Sequence, residues 1–479
     1  MKKNIIIAAI AAASALLLSV SCQKENQPES QSGINGGANT FTATIEQGIT
    51  KTTLTADYKV NWTTGDKINI NGKSYTASPK TDDATKADFT ADDGEATAVD
   101  GKFKAIYPST LYANGHFELP AIQTYSANGF NAPMYAESET QTLLFKNICA
   151  VLAIKVTSED ITSLKSIKVK SDKAMYGTFT VTDNKAVLSD DSDASKAVTL
   201  ESASALTLDA TGTTFYIAIP EQTYSYLKIY LSEDGTLYKR AMITKKTVGT
   251  ISCNKIYNID YETNAVQLYA NGPYWSTMNI GATTPAGYGW YFSWGNTTGY
   301  VYDATNKWVK ASDNTTKLGT DGSFIDSNYK NATVSGSGYK LKEDIPVEAK
   351  YDAAYANWGA AWKMPTGGSS GQFKNLNDNT TSAWTNDYNS TGVKGITFTG
   401  KTGTPDYSDI KLFFPAAGIG NNTSLNNEDP TGCYWSSSLN ISSTSQAYYL
   451  YFNNLYDLFV NPTNYSVRYI GKPVRPVSD

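Results

Sequence analysis

Phe145-Lys-Asn-Ile-Cys-Ala-Val-Leu-Ala-Ile-Lys-Val156 is a continuous apolar run bounded by polar residues. A run this short reads as a strand buried on both faces, not a long helix. Thr214-Phe-Tyr-Ile-Ala-Ile219 has the same density. Around these two runs lie half-buried patterns of period two: Phe41-Thr-Ala-Thr-Ile45, Lys67-Ile-Asn-Ile-Asn71 and Ile167-Lys-Val-Lys170. Turn pairs separate them, at Gly65-Asp66, Asn71-Gly72, Asp93-Gly94, Asn114-Gly115 and Asp234-Gly235. Short strands at this spacing predict antiparallel β-sandwiches. The stretch from Phe41 to about residue 262 is generous for one sandwich. We therefore expect two, at 41–160 and 161–262, divided just after the dense strand.

The wider composition agrees with a mainly β chain. There are 33 Tyr and 36 Gly in 479 residues, a balance that favours strands and turns. From Val266 onward Trp and Tyr become frequent and Gly-rich turns follow one another. Residues 300–345 are polar and aperiodic, which predicts long loops. A short helix is expected at 369–377, with Ser369 or Ser370 as N-cap ahead of Gln372, Phe373 and Leu376.

At the N-terminus, Lys2 and Lys3 precede the apolar run Ile5 to Val20. That run is shorter than the roughly 20 residues of a spanning helix and reads as a secretory signal, residues 1–21. Ser19-Val20-Ser21-Cys22 resembles a lipobox, which implies that Cys22 is acylated and becomes the mature N-terminus. The alternative is an ordinary signal with an incidental cysteine. Acyl chains contribute about 0.8 kcal/mol per buried methylene, so two or three anchor a protein stably. Residues 22–40 are polar and predict a flexible tether. The expected location is the outer membrane surface, lipid-anchored.

The formal net charge is −5, and no Lys/Arg block stands out, which argues against a nucleic-acid partner. Beyond Cys22, only Cys149, Cys253 and Cys433 remain. An odd count over this span is not a disulfide framework, and Cys149 is expected to be a buried free thiol.

Two resemblances refine the reading. Region 41–261 resembles the fimbrillin family, pilin-like lipoproteins of gut and oral anaerobes. The matching residues are Lys51-Thr-Thr-Leu54, Val60-Asn-Trp62, Gly65-Asp-Lys-Ile68, Phe103-Lys-Ala-Ile-Tyr-Pro108, Leu119-Pro-Ala-Ile-Gln123, Phe145-Lys-Asn147 and Phe215-Tyr-Ile-Ala-Ile-Pro220. The resemblance implies two sandwiches that join other pilin subunits of a fimbrium by donor-strand exchange. In that mechanism a neighbour's strand pairs with an open edge.

Region 263–479 looks like the C-type-lectin-like α+β domain at the ends of bacterial surface adhesins. Its residues are Trp275-Ser-Thr-Met-Asn-Ile-Gly-Ala282, Gly289-Trp-Tyr-Phe-Ser-Trp-Gly295, Trp362-Lys-Met-Pro-Thr366 and Phe413-Phe-Pro-Ala-Ala-Gly418. Tyr434-Trp-Ser-Ser-Ser438, Ala447-Tyr-Tyr-Leu-Tyr-Phe452 and Val474-Arg-Pro-Val477 complete the set. Shaft pilins end in donor strands, whereas a lectin-like module stands there in this chain. The pattern implies a tip subunit that receives a strand and binds host or microbial glycans or matrix proteins. The alternative is a pilus anchor or a non-polymerising surface adhesin. Arginine-specific maturation, common in the family, meets no arginine before Arg240.

Catalytic chemistry has little to build on. The chain has one histidine, His116, expected in a turn beside Gly115. Gly367-Gly-Ser-Ser-Gly371 matches Gly-x-Ser-x-Gly, but a nucleophile elbow needs a strand before it, a helix after it and a histidine within reach. We expect no enzyme and no cofactor beyond the lipid. Calcium takes about 6–8 oxygen ligands. In the lectin-like resemblance they come partly from a Trp-Asn-Asp triplet, yet Trp435 is followed by Ser436 and Ser437. The expected binding surface is the loop from Gly418 to Gly432, with Asn421, Asn422, Asn427, Glu428 and Asp429 meeting sugar hydroxyls and Tyr434 offering a ring face. Trp275, Trp290, Trp294, Trp358 and Trp362 are expected in the core.

Overall fold

The computed structural model describes residues 37–46, 61–127, 130–305, 307–331 and 341–479. The signal, Cys22, most of the tether and Lys51 to Val60 lie outside the described residues. The mainly β class is borne out: among the described residues there are three α-helices, none longer than eight residues. None is long and apolar enough to cross a membrane.

The first unit is a closed seven-stranded barrel. Its strands run Thr40–Ile45, Thr142–Asn147, Met134–Ser138, Phe103–Tyr107, Lys67–Ile70, Lys73–Pro79 and Lys86–Ala91 around the ring. Closure comes from Thr40–Ile45, which pairs parallel with Thr142–Asn147 on one side and antiparallel with Lys86–Ala91 on the other. Alternation sends Phe41, Ala43 and Ile45 inward. Trp62 fills the centre, edge-on to Phe89, Tyr107 and Phe145 at 4.9, 5.2 and 5.3 Å between ring centres.

The dense run that opened the sequence reading is two strands. Thr142–Asn147 belongs to the barrel, and Ala150–Val156 belongs to a three-stranded sheet with Thr213–Ile219 and Ile256–Asp260. The chain crosses between them at Ile148 and Cys149. The run is unbroken in hydrophobicity because its two halves enter different cores, with Phe145 in one and Leu152 and Ile154 in the other. Cys149 is buried with a free thiol, and burial pushes that thiol well above its ordinary range.

Across that second core lies an eight-stranded sheet containing Ile122–Thr124, Ala197–Thr207, Ser163–Ser171, Leu227–Ser232 and Arg240–Ile243. It continues through Ala265–Val266, Tyr274–Ser276 and Val477–Ser478. One sheet thus runs from the second region into the C-terminal one. Tyr230, Ala241 and Ile243 share a core cluster with Trp294, Trp362 and Trp435. A second tie joins the first two regions, because the hairpin strand His116–Leu119 pairs with Gly177–Thr182.

The C-terminal region adds a sheet of Thr431–Leu439, Gln446–Asn453 and Phe459–Val467, and another of Thr380–Thr385, Gly395–Gly400 and Lys411–Pro415. Trp275, Trp294, Trp358 and Trp362 are buried, while Trp290 is half-buried against the Trp294 cluster. The helix expected at 369–377 is Gln372–Asn379, capped by Gly371. Ser369 and Ser370 lie in the turn before it. Thr366 supplies the cap chemistry instead: its Oγ1 accepts from Gln372 N, and its own N–H donates to Gln372 Oε1.

Candidate functional site

The Gly418–Gly432 loop is a strapped hairpin. Ile419–Asn421 pairs with Ser424–Asn426, and Asn422 turns the corner at φ +51°. The Phe324 amide donates to the Asn422 carbonyl at 2.9 Å, and the Asn422 amide returns a bond at 3.2 Å. Gly420 and Gly471 exchange two amide bonds at 2.8 Å. A Cβ on Gly420 would sit 2.7 Å from the Phe324 ring, so only glycine permits that approach.

The hairpin leads into Asn427, Glu428 and Asp429. Asn427 and Asp429 take left-handed φ of +58° and +77°, which Asn and Asp tolerate better than most residues. Asp429 is committed locally, with Oδ1 accepting from the Tyr288 hydroxyl at 3.2 Å and Oδ2 3.5 Å from Lys394 Nζ. Burial, then the charge of Asp429, raises the Tyr288 hydroxyl above its ordinary pKa. Asn422, Asn427 and Glu428 face solvent, and Asn421 is half-buried.

Tyr434 does not join them, which corrects the sequence expectation. It is 0% exposed. Its hydroxyl donates to the Pro415 carbonyl at 2.6 Å and accepts from Asn279 Nδ2 at 3.3 Å. Its ring packs against Phe414 and Phe452, and burial pushes its hydroxyl up to about 12. No ring face remains for a ligand.

The aromatic surface next to the loop comes from a segment the sequence reading passed over. The Asn454 amide donates to the Pro430 carbonyl at 3.1 Å, which seats the turn 454–458 against the loop. In the strands flanking that turn, Asn453 pairs with Phe459 and Tyr451 with Asn461, so these four share one face, and beyond a bulge Tyr449 pairs with Asn464. Tyr451 and Phe459 stand edge to face at 6.2 Å. Asn453 Nδ2 donates to the Tyr451 hydroxyl at 2.7 Å, and Asn464 Nδ2 to that of Tyr449 at 3.0 Å. Tyr456 is 98% exposed, Leu455 60% and Phe459 53%. The signal was present in Asn454-Leu-Tyr-Asp-Leu458, where large apolar residues occupy a turn.

The other candidates are placed apart. His116 lies in a surface hairpin, 4.0 Å from Glu118. Ser369 and Ser370 are exposed in a turn that no strand precedes. Cys433 is buried, its thiol pushed up to about 12 by that burial. Among the described residues no group of three or more His, Cys, Asp and Glu side chains is placed to hold a metal ion.

No protein-family profile matches the chain, and no curated protein is significantly similar to it. Solved structures do resemble it. A Bacteroides ovatus protein described as a "putative cell adhesion protein" matches at 14% identity with a TM-score of 0.28, covering 48% of this chain and 94% of its own. A protein of Bacteroides thetaiotaomicron with the same description matches at 13% identity and a TM-score of 0.21, covering 47% of this chain and 92% of its own. At these scores the likeness carries no functional assignment.

Proposed function

We propose that this chain is a lipid-anchored surface protein of the bacterial outer membrane that adheres through its C-terminal region, as the tip subunit of a fimbrium. The observation that carries the adhesion reading is the exposed surface of Tyr456, Phe459 and Leu455 on a turn seated against the Gly418–Gly432 loop at Pro430. Contiguous exposed rings beside polar groups are the composition of a binding surface. Acylation of Cys22 would tether that surface to the envelope.

The tip reading draws on the pairing of strand Val477–Ser478. Val477–Ser478 pairs with Tyr274–Ser276, Lys363 and Val477 exchange amide bonds at 2.9 Å, and Ser478 Oγ donates to the Ala361 carbonyl at 2.7 Å. A strand held on both sides is not free to be donated to a neighbour.

Immunogold labelling of bacteria carrying the chain tests the assembly, with adherence to glycan- and matrix-coated surfaces as the second readout. Gold at fibre ends with adherence supports the reading. Uniform membrane label without fibres leaves a non-polymerising adhesin, and loss of adherence to every coated surface removes the adhesion reading. Retained membrane association in Cys22→Ser would remove the lipid anchor.

A further inference from the structure

We infer that the face built by Tyr451, Asn453, Leu455, Tyr456 and Phe459, seated against the Gly418–Gly432 loop at Pro430, takes an uncharged glycan chain. This rests on the adhesion reading above and names its ligand class.

Three observations select that class. Tyr456 and Phe459 are exposed, and the frame beside them is ordered: half-buried Tyr451 is pinned by Asn453, and Phe459 lies in register with Asn453 on a paired strand. Pre-set ring faces bind the C–H faces of sugar rings with little ordering cost. Second, the rings are interleaved with amides. Asn453 bonds the Tyr451 hydroxyl and lies opposite Phe459, and Asn461 lies opposite Tyr451, so uncharged donors and acceptors stand beside the strand-borne rings, the pairing that a polyhydroxyl chain requires.

Third, the charge is one-sided. Residues 412–467 contain no Lys, Arg or His. Glu428 and Asp457 are exposed, and Lys394, which reaches the loop from outside this stretch, is spent on Asp429. Lys374, on the helix packed against Phe459–Val467, is paired with Asp378, so a sulfated or sialylated chain would meet this field with repulsion. An uncharged chain would not.

The purified full chain is tested on immobilised uncharged, sialylated and sulfated glycans, together with matrix proteins. Binding should fall on the uncharged set and hold steady as salt is raised, because no ion pair is screened. Tyr456→Ala and Phe459→Ala should each weaken it about tenfold, as expected for removal of an aromatic anchor. Tyr302→Ala, a 40% exposed ring on another sheet, should leave it unchanged.

Preference for charged glycans, binding that falls with salt, or binding indifferent to both ring variants overturns the inference while leaving adhesion intact. Binding to matrix protein alone does the same. Silence on every surface overturns both.

Discussion

Lys472 holds its Nζ 3.8 Å from the centre of the Trp435 ring and 4.5 Å from that of Tyr449. It is buried, and no hydrogen-bond partner reaches it among the described residues. Burial pushes the amine down to about 7, with neighbouring Cys433 acting weakly the other way. The unfolded lysine titrates near 10.5, so between those values the unfolded chain binds the extra proton. Stability should therefore rise as pH goes from 7 toward 10, and this contribution should be flat below 7. Lys228 and Lys245, each pushed down to about 8 by burial, act in the same direction. Lys472→Met should make the slope of Tm against pH shallower and raise Tm at pH 7. An unchanged slope in thermal scans would remove the buried-amine account.

Trp62 is the keystone of the barrel. It is 3% exposed and touches three rings from three strands. Trp62→Ala should cost about 3–5 kcal/mol of barrel stability, the range for a large aromatic removed from a core. Trp62→Phe should recover much of it. Urea unfolding followed by near-UV dichroism reads both, and a Trp62→Ala change under about 1 kcal/mol would mean the core collapses around the gap.

How far these features could be read in advance depends on how local they are. Asn71-Gly72 announces its hairpin because both left-handed residues are adjacent in sequence. The buried tryptophans were legible from their bulk and setting. Barrel closure was not, because Thr40–Ile45 pairs with residues a hundred positions away and alternation names a face, never a partner. The break at Ile148-Cys149 was hidden because both sides of it are buried. Tyr434 misled for a related reason: every residue of Thr431–Leu439 is buried, so no alternation separates an inward ring from an outward one. Tyr456, in a turn too apolar for its place, was the better signal.

Gly72 sits at φ +90° after Asn71 at +47°, closing Lys67–Ile70 onto Lys73–Pro79. Gly72→Ala should cost about 1–2 kcal/mol, since an L side chain resists this conformation. The added Cβ would also stand 3.4 Å from the Tyr112 hydroxyl. Gly65→Ala at φ +92°, where nothing lies within 4 Å, isolates the backbone part. Equal losses at the two sites in denaturant titrations would show that the Tyr112 contact adds nothing.

Asp352 knots helix Ala353–Trp358 to the following turn. Its Oδ1 accepts from Ala354 N at 2.8 Å and Tyr355 N at 3.0 Å, and its Oδ2 accepts from Met364 N at 3.0 Å. The carboxyl is 0% exposed. Asp352→Ala would leave three amides unpaired in a dry site, and a loss of about 3 kcal/mol or more is expected. Asp352→Asn should lose less, because its oxygen can still cap the helix. Hydrogen exchange at Met364 tests the knot directly: its amide should be protected in the parent chain and exposed to exchange in Asp352→Ala.

Two tyrosines separate stability from binding. Tyr434→Phe strips a hydroxyl from a buried bond to Pro415 and removes one of three contacts of Asn279 Nδ2. It should cost about 1–3 kcal/mol and leave glycan binding by the folded protein unchanged. Tyr456→Ala removes a ring that touches mostly water, so stability should stay within about 0.5 kcal/mol while binding weakens. Denaturant titration and glycan binding, run on the same two variants, must give opposite patterns. If Tyr434→Phe weakened binding with its fold intact, the ligand would lie over the Pro415 end of the loop and not over the 454–458 turn.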